Sequence, residues 1–416
     1  MPRFSTLVFA VSFLVYACGS RTTIVIWTDK PEFALYAQYY NVQHTEYKAE
    51  VHYIESPVTQ LDTRKDKPDV IIARYLNNTA AYSRLENLNF LFNRKYINEN
   101  SFYPVLLESG RKKNTQYFIP VSFNLPLCVF AANSARAETA QLLELDTLKK
   151  EGLHYNEQSG GGWERLGFSP LWDKTHGFIM LMTRLCAVDF HEAGGTLKLA
   201  WNNDALKTTV HSLREWINDS TGSIQAEDDF IYKYFFNPEY KLLADGRILF
   251  AYMRSDDFWM LHDEQNALLD FRWLSRAAMI PVASDTTAFA VYKWARAKKG
   301  AADFARWFFN EETQEMLLEK NNTMHMNTAV FGIAGGFSTL HTVTDFFFPK
   351  YYKGLMGRTP PAAALTPPAA LPENWPELRN AVILPWLLSA VRNTQEDERT
   401  LAEQLDEWFA IQQGQF

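Results

Sequence analysis

Along this chain the hydrophobic pattern switches repeatedly between the period of a strand and that of a helix. Ile24 to Trp27 is a short, continuous β-rich run. Asp29-Lys30-Pro31-Glu32 follows, with a capping residue, a proline suited to the first helical turn and a carboxylate three places after the cap, so a helix is predicted at once. Phe33, Ala37 and Tyr40 then recur at helical spacing, and Glu50-Val51-His52-Tyr53-Ile54 returns to strand. Asp69-Val70-Ile71-Ile72-Ala73 is apolar after its first residue, as expected for a strand of a parallel sheet covered on both faces. Strand, helix, strand, helix, strand within about 50 residues predicts a doubly wound α/β sheet.

Phe118-Ile119-Pro120-Val121-Ser122-Phe123-Asn124-Leu125-Pro126 behaves differently. Its prolines fix the backbone and remove donors, which suits an extended crossing between two bodies better than a central strand. Further on, Leu206, Val210, Leu213 and Ile217 share one helix face, with Asn203 as cap, and Gly246 ends another helix before a strand from Arg247 to Met253. Ala277 to Val291 is extended, interrupted at Pro281 and at Ser284-Asp285-Thr286. Helices are predicted over Ala301 to Phe309 and Glu311 to Lys320, the second capped by Asn310. Thr359 to Pro376 is rich in proline and alanine, a surface loop or semi-rigid spacer, and Val382 to Ala390 (interrupted at Pro385) and Glu396 to Phe409 close the chain as helices. The sequence contains no internal repeat.

The first residues form a separate signal. After Arg3, the stretch Phe4 to Ala17 is apolar except for Ser5, Thr6 and Ser12, and Val15-Tyr16-Ala17-Cys18 closes it with a small residue before a cysteine. This run falls short of the ~20 apolar residues a spanning helix needs, so a signal peptide over 1–17 is expected. A cysteine at that point is expected to be the lipidation site, Cys18, of an exported protein held on the membrane by its acyl chains. An ordinary secretory signal and an uncleaved anchor are the alternatives. The remaining ~400 residues exceed what one core usually supports, which predicts two lobes. A net charge of −7 argues against a nucleic-acid partner. Besides Cys18 only Cys128 and Cys186 remain; they are as readily buried thiols as a bridge.

The order of segments resembles the extracellular solute-binding proteins of bacterial ABC importers, family 1, in their sugar-binding branch. The residues that carry the resemblance are Ile24-Val25-Ile26-Trp27-Thr28-Asp29, Lys67-Pro68-Asp69-Val70-Ile71, and Phe118 to Phe123 at the first crossing. Tyr240 to Phe250 is similar to that family's helix, glycine, strand element, and Ala302 to Gln314 to its packed helix. The resemblance implies an α/β, two-lobed periplasmic-binding-protein fold (type II), each lobe a sheet flanked by helices and joined by crossing strands. It places residues 18–122 plus 286–330 in the N-terminal lobe and 123–285 plus 331–416 in the C-terminal lobe. It further implies a monomer that captures a small-molecule solute, a mono- or oligosaccharide, between its lobes and hands it to an ABC permease, with no chemistry and no cofactor. Closure would bury the solute and shift an open-to-closed equilibrium.

Ligands of open α/β sheets lie outside the carboxyl ends of the strands. That rule nominates Trp27, Asp29 and Glu32 after the first strand, Arg74 and Tyr75 after the third, and Asn124 at the first crossing. In the second lobe it nominates Tyr252, Arg254, Asp257 and Trp259, with Asp285 at the second crossing and Trp172 as a further stacking candidate. Flat aromatic faces against CH groups, with carboxylate, amide and guanidinium partners for hydroxyls, are the chemistry a sugar requires. Each has a plainer reading. Asp29 and Glu32 could cap a helix, Trp27 and Trp172 could be core, and Arg254 with Asp257 could be a solvated pair.

Catalytic and metal patterns mostly fail. Gly160-Gly161-Gly162 lacks the lysine and the strand of a phosphate loop, and His191-Glu192 has no second histidine a helical turn on. Glu227-Asp228-Asp229 and Glu311-Glu312 read as solvated faces, while Met324-His325-Met326 and Tyr351-Tyr352 are weak soft-metal and iron candidates. The competing function classes are an exported glycosidase-like enzyme, which would need two crevice carboxylates, and a surface adhesin or structural lipoprotein that keeps the scaffold without the pocket.

Overall fold

The computed structural model describes residues 21–93, 95–134, 140–173, 175–194, 199–393, 399–412 and 414; the leader and Cys18 lie outside the described residues. Two sheets organise the chain. The first runs, in spatial order, Phe337–Ser338, Ile119–Phe123, Thr287–Val291, Val70–Arg74, Thr22–Thr28, Tyr47–Tyr53. Thr22–Thr28 is parallel to both neighbours, whereas Thr287–Val291 pairs antiparallel with Val70–Arg74 and with Ile119–Phe123. Thr22–Thr28 and Val70–Arg74 carry apolar runs because both faces are covered there, whereas the parallel edge strand Tyr47–Tyr53 is largely polar and only its Ala49 is fully buried. Ile24, Ile26, Val70 and Ile72 pack on one side under the helices Phe33–Gln43 and Lys298–Phe308, while Trp27, Ile71 and Ala73 pack on the other.

Asp69, read in sequence as the polar start of a strand, ties this lobe together. Its carboxylate accepts from the backbone N–H of Val25 at 3.0 Å, and from those of Arg296 and Ala297 at 2.7 and 2.8 Å. Three donors satisfy an anion that is almost wholly buried, joining the first strand to the start of the helix Lys298–Phe308.

The second sheet runs Ala251–Arg254, Pro126–Ala131, Leu269–Ser275, Leu142–Glu144. A helical layer covers it, built from Leu145–Tyr155, Gly177–Leu185, Asn203–Thr221 and Leu384–Arg392 around Phe168, Phe178, Trp216 and Leu387. Helix and loop meet backbone to backbone at Gly152 and Gly167, where a Cβ on Gly167 would stand 2.1 Å from the Gly152 carbonyl oxygen. Asn202, one residue earlier than expected, caps Asn203–Thr221, and Asn310 caps Glu311–Thr323 through the Thr313 N–H at 3.0 Å.

The chain crosses between the lobes three times. Ile119–Phe123 leads directly into Pro126–Ala131, and Leu269–Ser275 returns through Ile280–Pro281 to Thr287–Val291. The third crossing follows Phe337–Ser338. That strand pairs with Ile119–Phe123 in the first sheet, so the chain stays in the N-terminal lobe several residues beyond the expected boundary at 330. The predicted proline- and alanine-rich spacer, 359–376, is not free: Leu365–Thr366 pairs with Ile280–Pro281, and Leu371 and Trp375 are buried in the second-lobe core. Among the described residues, no helix is long and apolar enough to cross a membrane. Cys128 and Cys186 are both free thiols, the former wholly buried.

Candidate functional site

Asp29 follows the first strand, and its role differs from a helix cap. The start of Phe33–Gln43 is closed by backbone turns instead, with the N–H groups of Phe33, Ala34 and Leu35 donating to the carbonyls of Lys30, Pro31 and Glu32. The Asp29 carboxylate is thereby left to accept from Arg74 Nε at 2.7 Å and from the Arg74 N–H at 3.4 Å, joining the ends of the first and third strands. Its other oxygen, Oδ1, is buried with no hydrogen-bond partner among the described residues. Glu32 is also buried; burial raises its carboxyl, and Lys30 beside it works the other way.

Tyr75 stands next in the chain at φ 60°, a left-handed conformation that costs a non-glycine residue about 1 kcal/mol. The turn that holds it is built by Asn78, whose amide donates to the Tyr75 carbonyl at 2.8 Å and accepts from the Ala81 N–H at 2.7 Å. Burial, with the charge of Asp285, pushes the Tyr75 phenol up to about 12.

Opposite, Arg254 ends a strand of the second sheet. It holds Asp256 through Nε at 2.9 Å and Nη2 at 3.0 Å, and it holds Asp285 of the second crossing through Nη2 at 2.9 Å. Burial would raise the Asp285 carboxyl, but Arg254, aided by Lys30 and Arg74, outweighs it and holds the group below its ordinary value. Asp257 lies outside this pair. Its residue is exposed overall, yet burial around the carboxyl and the charge of Asp256 raise it to about 6 against the pull of Arg254.

Between the lobes lies a recess of about 340 Å³. The first lobe contributes Asp29, Arg74, Tyr75 and the bend Glu55 to Thr59 that follows the second strand; the far wall is Glu373, Pro376, Glu377, Arg379 and Asn380. That wall belongs to the second lobe, because Trp375, Leu378 and Val382 of the same segment are buried in its core. On one side of the recess the lobes touch. Glu192 Oε2 accepts from both the N–H and the hydroxyl of Thr79 at 2.8 Å, Arg84 meets Glu373 at 3.0 Å, and the Leu371 N–H donates to the Asn77 carbonyl at 3.0 Å.

The structure therefore brings together Asp29, Arg74 and Tyr75 at the recess; Glu32, Arg254 and Asp285 lie within electrostatic reach of them without lining it, and Asp257 does not line it either. Other nominated residues lie elsewhere. Trp27 is wholly buried under the first sheet, with the Arg64 guanidinium 5.4 Å from its ring centre. Trp259 is buried among Phe258, Phe271, Phe331 and Tyr352, and Trp172 packs half-buried against Phe230 at 5.4 Å. Asn124 uses its amide at the hinge, donating to the Gly335 carbonyl and accepting from Ser255 Oγ, each at 2.8 Å. Tyr252 packs edge-on against Phe178, its phenol pushed above the ordinary range by burial. Of the expected aromatic faces only Tyr75 lines the recess.

Sequence reasoning missed Glu373, Glu377, Arg379 and Glu192. The first lies in the stretch read as a spacer, where Glu373-Asn374-Trp375-Pro376 offers a proline in a first helical turn as the signal that a helix begins. Glu227, read as part of a solvated face, is buried against Ser169 Oγ, and desolvation raises its carboxyl to about 7. Among the described residues, no group of three His, Cys, Asp or Glu side chains is placed to hold a metal ion.

No protein-family model matches the chain, and neither does any curated protein sequence. Solved structures do match. The cyclic α-maltosyl-1,6-maltose binding protein from Arthrobacter globiformis superposes with a TM-score of 0.60 at 14% identity, over 93% of this chain and 96% of that one. An ABC substrate-binding protein from Listeria monocytogenes, in complex with cycloalternan, gives 0.59 at 14% identity over 95% of this chain and 99% of that one. Thiaminase I from Bacillus thiaminolyticus gives 0.55 at 14% identity, over 89% of this chain and 99% of that one. The chain has the two-lobed α/β fold of these proteins.

Proposed function

We propose that this protein is the substrate-binding component of an ABC importer, capturing a carbohydrate between its lobes and delivering it unchanged to a membrane permease. The observation that carries this reading is the interlobe recess, into which polar side chains from both lobes converge at the carboxyl ends of the first-lobe strands. Its volume, about 340 Å³, falls in the range of small-molecule pockets. Carboxylates, two guanidinium groups and an amide offer acceptors and donors to a ring of hydroxyls, and Asp29 Oδ1 has an unused acceptor site. A ligand touching both walls exists as a bridge only in the closed form, so its binding energy drives closure. The neighbours named for sugars support carbohydrate as the ligand class. The leader ending at Cys18 supports an exported, lipid-anchored protein that faces the permease from outside the membrane.

The test is calorimetric titration of the protein against a panel of mono- and oligosaccharides, with recovery of the sugar afterwards. Saturable binding of one sugar class, recovered unmodified, and loss of binding in Asp29→Ala are expected. A sugar returned cleaved would move the protein to the enzyme reading, which the thiaminase I neighbour keeps on the same scaffold. No binding across the panel would remove the carbohydrate reading.

A further inference from the structure

A second cavity, of about 390 Å³, lies away from the recess, between the second lobe and the strap formed by Thr366 to Ala369. Two arginines line it. Arg184, at the end of the helix Gly177–Leu185, is mostly buried and donates through Nη2 alone to the carbonyls of Thr366 at 3.2 Å and Pro367 at 3.1 Å. Arg276 donates through Nη1 alone to the Leu185 carbonyl at 3.1 Å and to Cys186 Sγ at 2.9 Å. The remaining N–H groups of both guanidinium groups have no acceptor among the described residues, and neither arginine is in an ion pair there. Burial lowers the Arg184 pKa, with Asp189 opposing it, which describes a cation short of counter-charge. A third group points the same way: Thr366 Oγ1, from the strap, is buried with no hydrogen-bond partner among the described residues. The rest of the wall is apolar, formed by Leu185, Phe190, Met279, Pro281, Pro367 and Pro368.

We propose that this cavity binds a small organic anion, its phosphate or carboxylate group held between Arg184, Arg276 and the Thr366 hydroxyl and its body against the proline and phenylalanine faces. Charge-assisted, forked N–H donors are the groups that recognise planar or tetrahedral oxyanions. Among the described residues that line the cavity, Asp189 is the one carboxylate opposing the anion, and it lies at an exposed position. The strap also pairs with Ile280–Pro281, the second crossing between the lobes, and continues into Leu371 and Glu373, which touch the first lobe. An anion here fastens the strap to the second lobe and so acts on the same hinge as the recess ligand from a separate site.

The experiment uses inorganic phosphate, phenyl phosphate and benzoate as probes, titrated into the whole protein by calorimetry against chloride at equal ionic strength. Saturable binding of phenyl phosphate or benzoate is expected; which of the two binds identifies the head group. Arg276→Ala alters an exposed residue, and Thr366→Val removes a hydroxyl that has no hydrogen-bond partner among the described residues. Each should leave the melting temperature near that of the parent and weaken the anion about tenfold, as loss of one charge-assisted contact does. Absence of saturable binding by all three probes overturns the proposal, as does equal affinity in both variants.

Discussion

Contact between the lobes is the property of this molecule most directly open to measurement. Glu192 and Glu373 of the second lobe hold one short helix, Thr79–Arg84, of the first. The Thr79 N–H belongs to a helix start whose donors lack intrahelical partners, so a carboxylate there is favourable on two counts. The two bonds to Glu192 together contribute ~1–2 kcal/mol, discounted because the site is exposed. Arg84 and Glu373 have side chains 19% and 17% exposed, but Arg84 keeps a second partner in Asp62 when Glu373 is removed, which limits that loss to ~0.5–1 kcal/mol. The double variant Glu192→Ala with Glu373→Ala therefore loses ~2 kcal/mol of closed-state preference, a roughly 30-fold shift toward open. The backbone bond from Leu371 to Asn77 remains in both proteins. Small-angle scattering of the ligand-free protein should give a larger radius of gyration for the double variant, and a spin-label pair across the recess a longer distance. The parent should move in the same direction at high salt, where such pairs are screened. Identical scattering and identical distances for parent and double variant would refute the latch.

Three further outcomes follow from the same geometry. Replacing Asp29 by alanine should lower unfolding free energy by about 1.5–3 kcal/mol in urea denaturation, because it strands a partly exposed guanidinium and frees the third strand end; unchanged stability with unchanged sugar affinity would show the pair to be idle. Glu227, raised from 4.5 to about 7, keeps its proton in the folded protein while an unfolded chain would release it, so stability falls as pH climbs across that interval and levels off above it. The effect is on the order of 3 kcal/mol, and Glu227→Gln, which preserves the bond to Ser169, should flatten melting temperature against pH between 5 and 8, as ~2–3 kcal/mol of the dependence disappears; a parallel pH profile in the variant would contradict it. Gly167→Ala places a Cβ against backbone rather than a yielding side chain, and it should cost ~1–3 kcal/mol or more and lower soluble yield; a variant that melts with the parent would mean the loop moves freely.

The candidate site was legible in part. Asp29, Arg74 and Tyr75 follow from a rule about strand ends, which needs only the order and type of elements. The tryptophans did not follow, since a ring after a strand can turn into the core or out to the crevice with the same spacing. Trp27 turned inward because the far face of the first sheet is covered as fully as the near one. Arg254 was nominated as a ligand contact, with a solvated pair to Asp257 as its plainer reading; it grips Asp256 and reaches across the hinge to Asp285, a partner 31 positions later in the chain. The far wall escaped notice because Thr359 to Pro376 has the composition of a spacer, whereas Leu371 and Trp375 anchor it in a core assembled from residues long before it.

What the sequence determined by itself is therefore the class of fold and the order of its parts. Hydrophobic period and backbone chemistry are local: continuous apolar runs make covered strands, and Asn310 caps the helix that follows it; the prolines at 120 and 126 flank a crossing, yet against expectation each stands in a strand with neighbours on both sides, one in each sheet. Only the tertiary structure decided which side chains meet across the lobes, which carboxylates are buried, and where a cavity remains. Those outcomes depend on distances between segments far apart in the chain, and desolvation and ion pairing, which set the chemistry of Glu227, Asp285 and Arg184, have no value until the folded chain has removed water from around each group.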